Sequence, residues 1–176
     1  MYQVMKGMLS MASGNFLAIF TALSNVPPVS AFATFDTRNN HPVLDFDDTT
    51  DEEAIFLGVV PANYAGGGLT IDIYCSFTSA TSNVCRWEAM IERMDVSSLD
   101  TDADSFASSQ SAAVTAPGTS GQIVKATITM TSGAQMDSLA AGESYRLKIR
   151  RDANATTGTD SVTGDAELHR VVIKET

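Results

Sequence analysis

The fold is decided by the stretch Gly66 to Arg93, which reads GGGLTIDIYCSFTSATSNVCRWEAMIER. Apolar and polar residues alternate on both sides of a polar break at Ser79 to Asn83. Side chains on a strand point alternately to opposite faces, so this period of two predicts a strand, a tight connection and a second strand, each half buried. The glycines before Leu69 can turn sharply, because glycine adopts positive φ freely. The stretch therefore predicts a β-hairpin with the chain's one tryptophan in the core.

The same period recurs between turn signals along the rest of the chain. Further strands are predicted at Ala31 to Phe35, Val43 to Phe46, Ala54 to Val60, Val124 to Met130, Tyr145 to Arg150 and Ala166 to Lys174. Asp95 to Ser111 is predicted as a polar loop, and Gln135 to Ala141 as a short helical turn that brings Met136 and Leu139 inward. About seven or eight strands without strand–helix alternation predict an antiparallel sandwich or barrel.

Size and charge limit the function classes. The chain of 176 residues fits one domain with a self-sufficient core. Its 21 acidic and 11 basic residues give a formal net charge of -10, which argues against nucleic acid as a direct partner. Basic residues cluster once, at Arg146, Lys148, Arg150 and Arg151, where a predicted strand turns them outward. This pattern favours a solvated face.

The amino-terminal segment is predicted to be an arm over Met1 to Ser30. Its apolar run is interrupted by polar residues and by Gly14, so it is too short to span a bilayer, and no membrane partner is expected. We predict that the arm is partly helical from about Gly14 to Leu23. Its apolar residues need a partner surface on their own domain or on a neighbouring subunit. The β-sandwich domain is predicted to follow over residues 31–176.

Two cysteines, Cys75 and Cys85, lie on the apolar faces of the two predicted hairpin strands. This placement makes them candidate cross-strand neighbours. A disulfide in an oxidising compartment and two reduced, buried thiols both fit the pattern. No second Cys or His pair stands at ligand spacing, so no zinc site is predicted.

The two histidines offer little for catalysis. His41 precedes Pro42 in a predicted loop, and His169 is predicted to share a face of the last strand with Val171 and Ile173. Such a histidine is more often a satisfied core or edge residue than a base. Neither a nucleophile elbow nor a phosphate-binding loop is present. We predict no enzyme, no catalytic residue and no cofactor; a pocket joining both histidines with several acids would argue against a scaffold role.

Two acidic clusters are the remaining chemical candidates. Asp100 to Asp104 spaces three carboxylates as some calcium loops do, but Ser105 stands where such a loop needs glycine. This favours a solvated acidic loop. The run Asp45 to Glu53 could bind a cation, pair with a basic neighbouring chain or stay hydrated. No metal ligand is therefore assigned.

Several stretches resemble sequences common in virion proteins of tailed bacteriophages. They are Asn39 to Glu52, Tyr64 to Thr70, Met136 to Glu143, Arg146 to Asp152 and Gly164 to Leu168. The proteins in question are similar to jelly-roll modules that decorate capsids or form parts of tail fibres. The resemblance implies an all-β, jelly-roll-like β-sandwich, a homotrimer and a structural role, and it brings no catalytic residues.

Three functions are expected in order. The first is a capsid decoration (cement) protein, a trimer on the outer capsid surface of the virion that bridges adjacent major capsid proteins after assembly in the host cytoplasm. The alternative is a tail-fibre or spike component with a receptor- or glycan-binding β-sandwich. The third is a carbohydrate-binding module that uses the sandwich loops, with or without calcium, although the low aromatic content argues against a stacking platform for sugars.

Overall fold

The computed structural model describes residues 14–176; Met1 to Ser13, which hold the first part of the predicted arm, lie outside the described residues. The described chain forms ten strands and two short 3-10 helices. The strands are β1 (Phe16–Thr21), β2 (Thr34–Arg38), β3 (His41–Phe46), β4 (Glu53–Val59), β5 (Leu69–Phe77), β6 (Val84–Arg93), β7 (Gln110–Thr115), β8 (Val124–Met130), β9 (Ser144–Arg151) and β10 (Ala166–Glu175). The 3-10 helices are Ala22–Ser24 and Ala134–Met136. Within residues 14–176, no helix is long and apolar enough to cross a membrane.

Two antiparallel sheets form a β-sandwich. Sheet A has the order β2-β3-β10-β5-β8, with β1 also paired to β10, and sheet B has the order β4-β9-β6-β7. The core lies between them, where the indole of Trp87 meets the ring of Phe46 edge to face at a centroid distance of 4.9 Å. The prediction of an all-β, antiparallel, jelly-roll-like β-sandwich is confirmed.

The predicted hairpin at Gly66 to Arg93 is wrong in its pairing. Both strands exist and bury the predicted faces, but β5 pairs with β10 and β8, whereas β6 pairs with β9 and β7. The chain between them therefore crosses from one sheet to the other. A period of two specifies which face of a strand is buried but not which strand lies beside it.

This crossing also separates the cysteines. Cys75 on β5 and Cys85 on β6 point into the core from opposite sheets instead of lying side by side in one. Both are free and fully buried. Burial raises the pKa of the Cys75 thiol to about 12 and also raises that of Cys85. They behave as small hydrophobic residues of the core.

The described part of the predicted arm is a strand, not a helix, over Phe16–Thr21. It pairs with β10 from Arg170 to Lys174, and the 3-10 helix Ala22–Ser24 follows it. The side chains of Phe20 and Ala22 enter the core. An unpaired strand edge is a strong template for a further strand, so sheet pairing overrides the weak helical pattern of this short segment.

The basic residues of β9 are not solvated as predicted. Arg146 and Arg150 point outward, yet they form ion pairs with Glu92 and Glu88 of β6, both of which are fully buried. Phe106, from the loop before β7, lies over the Arg146 guanidinium at 4.8 Å. Each long side chain therefore has a fixed partner on the face of sheet B.

Arg151 departs further from the prediction, because it points into the molecule. It is fully buried and pairs with Asp160 at 2.9 Å. Its remaining donors reach the carbonyl oxygens of Phe46, Val162 and Gly164.

Candidate functional site

The outer face of sheet A is interrupted by a β-bulge at His169. Leu168 pairs with Cys75 and Arg170 pairs with Tyr74, so His169 is an extra residue without a partner on β5. At the same point β10 changes its other neighbour, pairing with β3 as far as Leu168 and with β1 from Arg170 onward. A bulge bends a strand and redirects a side chain, and bulges are common beside functional sites.

The bulge reverses the predicted orientation of His169. Val171 and Ile173 face the core as expected, but the extra residue shifts the alternation, and the His169 ring lies on the outer face beside Ser76. The prediction that His169 shares a face with these two residues is therefore wrong. Its ring is half buried, and this burial lowers its pKa.

A chain of hydrogen bonds fixes His169 from beneath. Its Nε2 atom lies 2.8 Å from the Ser76 hydroxyl oxygen, and that hydroxyl donates to Glu167 at 2.5 Å. The Arg38 guanidinium donates to the same Glu167 oxygen at 2.6 Å and to the carbonyl of Phe77 at 2.9 Å. Because a serine hydroxyl has one proton, which goes to Glu167, the Nε2 of His169 is the donor to Ser76.

Two adjoining concavities of about 270 Å³ each meet above this chain of bonds, and both are lined by His41, Ile123 and His169. We call their combined surface the bulge groove and define it by six residues: Arg38, His41, Tyr74, Ile123, His169 and Arg170. The structure thus brings together the two histidines that lie far apart in the sequence. Ile123, exposed by 55%, forms one wall.

The opposite wall depends on the turn between β2 and β3. Asn39 and Asn40 both adopt left-handed backbone conformations, with φ values of 46° and 65°. Two such residues make the tight turn that suits the twist of antiparallel strands, and asparagine tolerates this conformation well. The turn places His41 and Asn39 at the rim of the groove.

The floor of the groove is aromatic and cationic. The Arg170 guanidinium lies over the Tyr74 ring, 4.3 Å from its centroid, and Arg170 is exposed. A guanidinium attracted to the face of an aromatic ring does not use up its N–H donors, so these donors can reach a ligand. The groove therefore offers a ring, imidazole donors and acceptors, and guanidinium donors within one concavity, as small polar ligands require.

Ser76, His169 and Glu167 do not form a nucleophilic triad. The Ser76 side chain is fully buried beneath the histidine, so it is closed to a substrate. Its proton goes to Glu167 and not to His169, whereas a general base must accept the proton of the nucleophile. The arrangement holds the imidazole in position and does not activate the serine.

One side of the bulge groove borders a group of acids. Asp45 pairs in register with Glu167, and burial raises the pKa of Asp45 to about 6, with repulsion from Glu167, Asp165 and Asp36 adding to the effect. Among the described residues, the buried Oδ1 of Asp45 has no hydrogen-bond partner.

The predicted acidic clusters serve as local structural partners. Asp104 pairs with Arg146 at 2.6 Å, and the carboxylate of Asp100 accepts from the backbone of Asp102. In the run Asp45 to Glu53, Asp47 accepts from Thr49 and Thr50, Asp48 from Gly164, and Asp51 from Asn154. Across residues 14–176, no three His, Cys, Asp or Glu side chains come together as a metal site would require.

A larger concavity of about 430 Å³ lies at the free edge of β2 and is mostly apolar, with Leu23, Phe32 and Phe35 in its wall. Its polar side chains are those of Asn25 and Thr34, and the Asn25 amide oxygen already accepts from the backbone of Ile55. It therefore lacks the converging polar groups that would orient a hydrophilic ligand.

Comparisons with known proteins bear on the fold. No protein-family model and no curated protein matches the sequence. The fold is similar to that of CsCBM6-3 from Clostridium stercorarium, solved in complex with cellobiose, with a TM-score of 0.52, 8% identity, and coverage of 91% of this chain and 95% of that one. It is also similar to the carbohydrate-binding module CBM6cm-2 from Cellvibrio mixtus lichenase 5A in complex with cellotriose, with a TM-score of 0.51, 11% identity, and coverage of 92% and 99%.

These similarities correct the expected function. The expectation of a trimeric capsid decoration protein that bridges major capsid proteins is wrong, since the two solved structures described above are carbohydrate-binding modules and nothing in the comparisons supports a capsid role. The expected partners, a major capsid protein and two further copies in a homotrimer, are wrong for the same reason. At identities of 8% and 11% the likeness establishes the fold, and the glycan-binding alternative has to be argued from the groove itself.

Proposed function

We propose that this chain is a non-catalytic glycan-binding module and that it binds sugars in the bulge groove. The observation that carries the proposal is the bulge at His169, which turns an imidazole toward His41, Tyr74 and Arg170 on an otherwise regular sheet face. Bulges that redirect a side chain into a concavity are typical of functional positions.

The chemistry of the groove suits a sugar. A sugar ring presents many hydroxyls, each of which donates and accepts, together with apolar C–H faces. The imidazoles of His41 and His169 and the side chain of Asn39 line the groove and offer donors and acceptors, and Tyr74 and Ile123 offer apolar surface. The bonds from Arg38 through Glu167 and Ser76 hold His169 before any ligand arrives. Such preorganisation reduces the entropy lost on binding.

The fold adds support by analogy alone. The structures similar to this chain include modules solved with cellobiose and cellotriose, which are short neutral glucans. The absence of a nucleophile in reach of solvent at Ser76 favours binding over hydrolysis. An acyl or glycosyl transfer at this groove would need a different set of exposed groups.

A glycan array followed by isothermal titration calorimetry tests the proposal. We expect saturable binding to at least one oligosaccharide, and a loss of affinity of about tenfold or more in His41→Ala and in Tyr74→Ala. Thr129→Ala is the matched control, because Thr129 is exposed on the same sheet face about 13 Å along β8 from the strand position opposite Tyr74. Circular dichroism of each variant checks that the sandwich is intact.

Different results would contradict the proposed site and the proposed function. Equal binding by all three variants would place the sugar site elsewhere, and the absence of any binding on a broad array would overturn the proposal. Treatment with a chelator should leave binding unchanged, because the groove side chains do not form a metal-ligand cluster within the described chain.

A further inference from the structure

Arg170 has an unusual environment for a cation in this protein. The chain carries a formal net charge of -10, and within residues 14–176 every lysine and arginine except Arg86 and Arg170 lies within 4.0 Å of a carboxylate oxygen. Arg86 donates to Ser111 and packs against Gly158, so it has a structural role. Arg170 has only the face of Tyr74 as a partner among the described residues.

The position of Arg170 distinguishes it from an ordinary surface cation. It is exposed, it lines the bulge groove, and the groove's two histidines lie beside it. The Arg170 guanidinium is held against the Tyr74 ring, so less conformational entropy is lost when it binds a ligand. The charge of Arg38, in contrast, is neutralised by Glu167 at 2.6 Å.

We infer that the bulge groove binds an acidic sugar, whose carboxylate or sulfate group is held by the guanidinium of Arg170. The inference rests on the proposed glycan-binding function and specifies its ligand class. The planar fork of an arginine matches the two oxygens of a carboxylate, and charge-assisted bonds of this kind are about twice as strong as neutral ones. The hydroxyls of the same sugar ring would then meet His41, Asn39 and Thr21 along the groove wall.

The acids near the groove are consistent with this assignment. Glu167 is buried and neutralised by Arg38, and Asp45 lies beside Glu167 on β3 and not at the Tyr74 end of the groove. The residues that line the Tyr74 end carry no carboxylate: Thr21, His41, Pro42, Tyr74, Ile123, His169 and Arg170. An anionic group would therefore meet a neutral or cationic surface there, although the protein as a whole is acidic.

The experiment uses the full chain and an array of matched neutral and acidic oligosaccharides, followed by calorimetry on the strongest acidic binder and its methyl ester. The ester keeps the sugar ring and its hydroxyls but replaces the charged carboxylate by a neutral group that carries one additional methyl. We expect the ester to bind about 10- to 100-fold more weakly than the acid, and a sulfated analogue of the same backbone shows whether a tetrahedral anion is accepted as well.

Two variants assign the effect to Arg170. Arg170→Gln should lower the affinity for the acid by the same factor and leave the affinity for the ester unchanged. Lys174→Gln removes the same charge four residues further along β10, from a lysine paired with Asp72, and should leave the preference for the acid intact. A purely long-range charge effect would reduce the preference in both variants, which would overturn the role of Arg170.

The failure of this inference can be distinguished from the failure of the proposed function. Binding confined to neutral glycans, or equal binding of acid and ester, would overturn the acidic-sugar assignment and leave the glycan-binding function in place. An array on which nothing binds would overturn both.

Discussion

The Nε2 atom of His169 lies 2.8 Å from the hydroxyl oxygen of Ser76, and this contact joins two strands of one sheet at the point where their register shifts. The serine hydroxyl donates a hydrogen bond to Glu167 at 2.5 Å. The imidazole is therefore held as a donor through its Nε2 atom. A single inserted residue on β10 thus produces both the concavity and the orientation of its central side chain.

This hydrogen-bond direction can be tested by Ser76→Ala. We expect nitrogen NMR of the native protein to show His169 in the Nε2–H tautomer, and the alanine variant to lose that preference. The variant should also lose about 1–3 kcal/mol of unfolding free energy in urea, because the Ser76 hydroxyl makes two hydrogen bonds and one of them is to the buried carboxylate of Glu167. Thr129→Ala serves as the control for both measurements. An Nδ1–H tautomer in the native protein would contradict the arrangement.

The sequence predicts the buried faces of the strands better than their partners. The apolar faces of β5, β6, β8 and β9 are buried as their alternation predicts, because a strand that covers a core must present apolar side chains at every second position. The predicted solvent face of β6 is buried as well, at Glu88, Met90 and Glu92. The predicted pairing of β5 with β6 is wrong. A hairpin and a short connection that crosses between sheets show the same alternation of apolar and polar residues, so the sequence does not distinguish them.

The bulge groove could not be predicted from the sequence for a related reason. One extra residue reverses the alternation beyond it, and nothing in the sequence around His169 marks the insertion. The turn at Asn39 and Asn40 did carry a signal, because two asparagines between short apolar strands favour a tight hairpin. Recognising that turn would have placed His41 on a strand rather than in a loop, but not opposite His169.

The free energy of unfolding should decrease as the pH rises, because of Asp45. Burial and the neighbouring carboxylates raise its pKa from 3.8 to about 6, so the native state holds the proton more tightly than the unfolded chain. The free energy of unfolding therefore falls as the pH rises from about 4 to about 6. We expect Asp45→Asn to raise it by about 1–2 kcal/mol at neutral pH and to change it little near pH 4, as measured by urea denaturation at both values.

Asp152 provides a control of opposite sign. Burial alone would raise the pKa of Asp152, but hydrogen bonds from Thr157 and Thr156 lower it to about 2. Its contribution is present above the unfolded pKa and is lost as the pH falls toward 2. Asp152→Asn should therefore cost about 2 kcal/mol at neutral pH. If Asp152→Asn instead stabilised the protein at neutral pH, the bonds from the two threonines would not compensate for the burial of the carboxylate.

The buried ion pair of Arg151 and Asp160 should contribute far more to the free energy of unfolding than the surface ion pairs do. Both side chains are almost completely buried, so Arg151→Met leaves a carboxylate without its partner in the interior. We expect a loss of about 3–5 kcal/mol of unfolding free energy in urea. Arg93→Met, which breaks pairs with the partly exposed Asp95 and Glu143, should cost about 1 kcal/mol or less. Similar losses in the two variants would show that the Arg151 pair is not desolvated.

Gly121 connects the loop before β8 to the groove, and replacing it tests whether Arg38 is fixed. Its φ is +75°, and an added Cβ would lie 2.7 Å from the Arg38 guanidinium, which is itself bound to Glu167 and to the carbonyl of Phe77. Gly121→Ala must therefore displace Arg38 or shift the loop. We expect a loss of about 1–3 kcal/mol of unfolding free energy, from the strained backbone, together with weaker glycan binding.

Gly118→Ala is the matched control for this substitution, because no atom lies within 4 Å of a Cβ added at Gly118 and its φ is not in the left-handed region. It should leave both stability and affinity unchanged. The groove would respond to Gly121→Ala although residue 121 needs no direct bond to the sugar, because Arg38 supports Glu167, Glu167 supports Ser76, and Ser76 orients His169. If Gly121→Ala and Gly118→Ala bound glycans equally well, this chain of bonds would not control the imidazole.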